Sequence, residues 1–128
     1  MKTLDLLYRF LVRFRYPVTL PEDVAMALGI QVSNFITFEE FVSRLTSPNC
    51  RPTRLLKFMP REQAEKAFQH AQRKEPFKQN SLFSFYFKEG WLEFILQFDD
   101  QSRLRRIYLQ HKQIKQDEGI EIPLIHSS

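Results

Sequence analysis

Three histidines, one cysteine and fifteen carboxylates are the groups in this 128-residue chain that could carry acid–base, nucleophilic or metal chemistry. Chemistry of that kind needs partners at set spacings. His70, His111 and His126 match no metal-ligand interval with one another or with Cys50, and no His-x-x-x-His or Cys-x-x-Cys pattern occurs. Cys50 has no neighbouring histidine or acid to activate its thiol. Asp99 and Asp100 are adjacent, but consecutive extended residues point apart and Asp favours chain reversals, so Asp99-Asp100-Gln101-Ser102 reads as a turn. The glycines, Gly29, Gly90 and Gly119, each adjoin the end of an element, which leaves none to cluster into a Rossmann fingerprint or a P-loop. The expectation is a non-enzymatic chain with no catalytic residue, metal or cofactor; the alternative is an enzyme whose site is assembled from distant residues and is not visible in the sequence.

Charge offers a second kind of chemistry. The chain carries a net +4, and residues 51–78 set eight Lys or Arg against Glu62, Glu65 and Glu75. Within that stretch Arg51, Arg54 and Lys57 form the candidate anion-contacting loop, through which a nucleic-acid backbone or an acidic protein could be held.

The run Glu22-Asp23-Val24-Ala25-Met26-Ala27-Leu28-Gly29-Ile30 resembles the first helix and turn of helix-turn-helix DNA-binding domains. The resemblance implies a nucleic-acid-binding regulator, with residues 21–45 as its degenerate motif. Two features depart from the pattern. A Thr37-Phe38-Glu39-Glu40 capping box starts the next helix beyond the short turn of that motif. Glu22, Asp23, Glu39 and Glu40 against Arg44 alone also place negative charge where phosphates would approach.

The elements that must position these residues follow from hydrophobic periodicity. Four helices are expected. The first runs from Thr3 to about Phe14 with Leu4, Leu7, Leu11 and Phe14 on one face; the second runs from Pro21 to Gly29. The third starts at Thr37 and buries Phe38, Phe41, Val42 and Leu45. The fourth starts at Pro60 and buries Ala64, Ala67, Phe68 and Ala71.

A β-meander should follow. Phe83, Phe85 and Phe87 share one face of the first strand, and Leu92, Phe94, Leu96 and Phe98 share one face of the second. A Glu89-Gly90 turn would pair Phe87 with Leu92, Phe85 with Phe94 and Phe83 with Leu96. The next turn would pair Phe94 with Ile107 and Leu92 with Leu109, leaving Arg105 inward unless a bulge releases it to water. Ile120, Ile122 and Leu124 suggest a short fourth strand that Pro123 confines to an edge. The expected class is α+β, one domain of 1–128, with a helical part (1–78) packed on one face of a three- to four-stranded antiparallel sheet part (81–125).

The opposite sheet face then becomes the candidate partner-binding surface. It carries Tyr86, Trp91, Ile95, Arg106 and Tyr108, side-chain types that interfaces favour, and the register sets Tyr86, Glu93 and Tyr108 in one row with Ser84, Ile95 and Arg106 in the next. The expected function is a protein-interaction module, an adaptor, regulator or chaperone-like subunit, that meets a protein partner or a second copy of the chain there, with nucleic acid as the alternative. Arg9, Arg13 and Arg15 interrupt any secretory apolar core, and no run approaches a membrane span, so no membrane insertion is expected. With a lone cysteine as well, the expected location is the cytosol.

Overall fold

The computed structural model describes residues 18–30, 36–47, 50, 52–111 and 119–126. The helix expected over residues 3–14 lies outside them, as does Arg51. Three helices stand among the described residues: α1 (Pro21–Leu28), α2 (Phe38–Leu45) and α3 (Arg61–Lys66). The strands are β1 (Leu56–Lys57), β2 (Arg73–Phe77), β3 (Asn80–Phe87), β4 (Gly90–Phe98), β5 (Leu104–Gln110), β6 (Ile120–Glu121) and β7 (Ile125–His126).

Each helix starts where local chemistry dictates. Pro21 occupies the first turn of α1, where a missing N–H costs nothing, and Glu22 and Asp23 face its positive end. The helix stops because Gly29 adopts φ 77°. A side chain there would be strained and would collide with Thr53 Oγ1 and the Arg54 backbone, whose N–H groups donate to the carbonyls of Gly29 (3.4 Å) and Leu28 (3.2 Å) respectively. Thr37 caps α2 by accepting the Glu40 N–H at 3.1 Å. From Leu28 to Phe38 the connection is far longer than a helix-turn-helix allows. The fourth expected helix is real but short: α3 ends at Lys66, and Phe68 and Ala71 are buried from the turns that follow it.

Five strands, in order β2-β3-β4-β5-β6 and antiparallel throughout, form the sheet. This corrects the expected three to four strands and the expected boundary, since β1 and β2 lie within the stretch read as helical. The β3–β4 register is also corrected. Phe87 pairs with Gly90, Phe85 with Leu92 and Phe83 with Phe94, so the two-residue loop is Lys88-Glu89 and every pair is displaced by two residues. Gly90 takes its positive φ of 120° at the first paired position instead of within the loop. A displacement of two preserves side-chain parity, so the faces are as expected.

The same displacement recurs between β4 and β5, where Phe94 pairs with Leu109 and Leu96 with Ile107. The register shifts between Gln97 and Phe98 because Arg105 is extra in its strand; this bulge exposes Arg105, as its charge requires. β6 forms the far edge, and β7 leaves it to pair in parallel with β1.

The helices pack on the phenylalanine face. Phe38 and Phe41 of α2 lie 5.1 and 6.2 Å from the Phe87 ring, and Phe68 stacks on Phe83 at 4.9 Å with an interplanar angle of 12°. Phe83, Phe85, Phe87, Leu92, Phe94, Leu96, Phe98, Ile107 and Leu109 all join Val24, Leu28 and Leu45 in one core.

Candidate protein-binding face

The side chains pointing away from that core build the candidate site. Trp91 pairs with Tyr86 across β3 and β4, their rings edge to face at 5.2 Å, and the Arg73 guanidinium lies 4.6 Å from the Trp91 ring centre. The next rows run Arg73–Ser84–Glu93–Gln110, then Glu75–Leu82–Ile95–Tyr108–Glu121, then Phe77–Asn80–Gln97–Arg106. The sequence-derived rows are therefore wrong in composition. Tyr86 neighbours Trp91 and not Glu93, Ile95 neighbours Tyr108, and Arg106 stands a row away from Ile95.

This regrouping gathers the apolar surface. Leu82, Ile95 and Tyr108 are contiguous, partly exposed and outside the core, with Glu75 and Glu121 at the two ends of their row. Arg106 reaches Glu121 at 3.9 Å with both side chains about half exposed, a contact too solvated to hold the face shut. At the Trp91 end the backbone is fixed: Thr19 N–H donates to the Tyr86 carbonyl (2.7 Å), Gln72 Nε2 donates to Thr19 Oγ1 (2.6 Å), and Tyr86 N–H donates to Gln72 Oε1 (3.3 Å). Arg73 was missed in the sequence because the strand that carries it shows no apolar alternation.

The edges of the sheet are poor places to add a strand. β2 is exposed along its length and carries Lys74 and Pro76, a charge and a residue with no N–H to offer a new neighbour. β6 is two residues long.

The proposed anion loop divides between two structural roles. Arg54 caps α1 with its backbone while its side chain is exposed; Lys57 belongs to β1, with Nζ 5.4 Å from the Phe58 ring centre. Cys50 is buried, its N–H donating to the Ser47 carbonyl at 3.0 Å. His70 is exposed, whereas His111 is buried with its ring 5.0 Å from Phe38. Among the described residues no group of three or more His, Cys, Asp or Glu is placed to hold a metal ion. No described helix is long and apolar enough to cross a membrane. Comparison of the chain with protein-family models, with curated proteins and with solved structures finds no match.

Proposed function

We propose that this chain is a non-enzymatic protein-interaction module of the cytosol, an adaptor or regulatory subunit that binds another protein through the outer face of its sheet. The observation that supports this reading is the stripe from Trp91 and Tyr86 to Ile95 and Tyr108. It presents two clusters of amphipathic aromatic and aliphatic side chains on a five-stranded platform, outside the core, separated by the polar row Arg73–Ser84–Glu93–Gln110. Tyr, Trp and Arg supply much of the energy in protein interfaces, because they bury a large area while keeping a polar contact.

Affinity capture from the native host, with and without nuclease, tests the reading when the parent is compared with the Trp91→Ala/Tyr108→Ala double variant. A nuclease-resistant partner that the double variant fails to retain is the expected result. Capture that nuclease abolishes, or that the variant retains fully, refutes it. A shift of the parent alone to a dimer on sizing with light scattering would assign the face to self-association instead.

A further inference from the structure

The row Glu75–Leu82–Ile95–Tyr108–Glu121 crosses all five strands of the outer face. Its three middle side chains are partly exposed and stand outside the core, and the carboxylates at its two ends are exposed. Polar side chains border it on both sides: Ser84, Glu93 and Gln110 on one, Asn80, Gln97 and Arg106 on the other. Apolar contact is therefore continuous only across the strands. Along β4 the outward side chains run Trp91, Glu93, Ile95 and Gln97, and along β3 they run Tyr86, Ser84, Leu82 and Asn80, so a segment laid parallel to the strands meets a polar group at every second position.

Spacing selects the shape of what lies across this row. Neighbouring strands stand about 4.8 Å apart, so Leu82, Ile95 and Tyr108 offer one side chain at each such step. An α-helix with apolar residues at i, i+4 and i+7 offers one per turn of about 5.4 Å, whereas an extended chain repeats a face only about every 6.8 Å. Glu75 and Glu121 are four strand spacings apart, about 19 Å, which is the rise of about 13 helical residues.

Charge selects the sign. Two copies of this chain stacked face to face with their strands aligned would set Glu75 on Glu75 and Glu121 on Glu121, or Glu75 on Glu121, according to the two-fold axis, so carboxylates would repel at both ends of the row. A nucleic-acid backbone would meet the same carboxylates and Glu93. Cations suit these ends, as Arg106 shows by reaching Glu121 at 3.9 Å in a contact solvated enough to admit a second cation. We propose, building on the reading of this face as a protein-binding surface, that its partner is an amphipathic helix laid across the strands. One apolar side chain per turn rests on Leu82, Ile95 and Tyr108, and a Lys or Arg near each end meets Glu75 or Glu121.

Fluorescence anisotropy at low salt tests this with three labelled peptides: a helix-forming peptide with leucine at i, i+4 and i+7 and lysines at both ends, its counterpart with glutamate for lysine, and a peptide of the first composition with the leucines moved to alternate positions. The first should bind best. Glu75→Lys/Glu121→Lys should weaken it by about tenfold and make the glutamate peptide the better ligand. Glu62→Lys/Asp100→Lys, the same change in net charge at exposed positions off the row, should leave both affinities as they are in the parent. Ile95→Thr, which keeps a β-branched residue in the strand, should also weaken the first peptide severalfold. The inference is overturned if the first peptide does not bind, if either of the others binds the parent as well, or if reversing the row charges fails to exchange the preference. Those results would leave the protein-binding reading of the face standing, because that reading falls only with the capture experiment on the parent and Trp91→Ala/Tyr108→Ala.

Discussion

The two faces of the sheet use aromatic residues in opposite ways. Every phenylalanine of β3 and β4 points inward and is buried, and the rings interlock: Phe85 meets Phe94 edge-on at 5.8 Å and 89°, while Phe68 lies 5.2 Å from Phe94. The outer face carries no phenylalanine in those strands; it has Tyr86, Trp91 and, from β5, Tyr108, each partly exposed. Phenylalanine has nothing to gain from water, whereas Tyr and Trp keep one polar atom that does. The same pleat has thus sorted a buried surface from a partly exposed one, and substitutions on the two faces should fail differently.

The largest effect should come from the inner face. Phe94→Ala removes a ring packed between Phe68 and Phe85 and should cost about 3 to 5 kcal/mol in urea unfolding, because the pleat cannot collapse into the space. A loss below about 1 kcal/mol would show that this face is not the stabilising one.

The contrast between faces was legible from the alternation of Phe83, Phe85 and Phe87 alone, because parity survives a register error of two residues. Row composition was not legible. It depended on whether Gly90 would spend its positive φ inside the loop or at the first pair, which the dipeptide Glu89-Gly90 does not decide. β2 was invisible for a different reason: Arg73-Lys74-Glu75-Pro76-Phe77 is exposed throughout, so backbone pairing to β3 holds it and burial leaves no periodic signature. With β2 missing, Arg73 over Trp91 could not be foreseen.

An intermediate effect is expected at Arg61, which covers the turn end of the inner face. Its guanidinium donates to the carbonyls of Lys78 and Asn80 and to Ser81 Oγ (2.7, 3.2 and 2.9 Å), and lies 4.7 Å from the Phe98 ring centre. Arg61→Ala leaves the part-buried Asn80 and Ser81 acceptors and the exposed Lys78 carbonyl to water and should destabilise by about 1 to 3 kcal/mol. Amide exchange should rise at residues 78–81 and stay unchanged at Trp91. Equal protection loss at both ends of the sheet would mean that Arg61 supports the whole platform.

The outer-face double variant Trp91→Ala/Tyr108→Ala should remain within about 1 to 2 kcal/mol of the parent while losing its partner. Loss of stability comparable to Phe94→Ala would break the comparison, since it would make the outer face a second core.

The smallest effect belongs to Asp99, outside both faces. The Arg103 backbone N–H, donating to its carboxylate at 2.9 Å, holds its pKa below the ordinary 3.8; desolvation opposes it, and the Gln101 N–H (3.0 Å) and the Arg103 guanidinium (3.0 Å) each add a weaker pull downward. The sign follows from linkage. Because the folded state binds the proton less readily than the unfolded chain, the stabilisation is complete above 3.8 and is lost as pH falls below that value through the depressed folded pKa. The carboxylate is solvent-accessible, so the loss should be small and should shrink further in salt. Urea unfolding of the parent and of Asp99→Asn across acid pH measures it: the two midpoints should differ at neutral pH and converge below pH 3.8. A constant offset across that range would show that the turn draws on the shape of Asp99 and not on its charge, leaving acid sensitivity to be sought on the faces themselves.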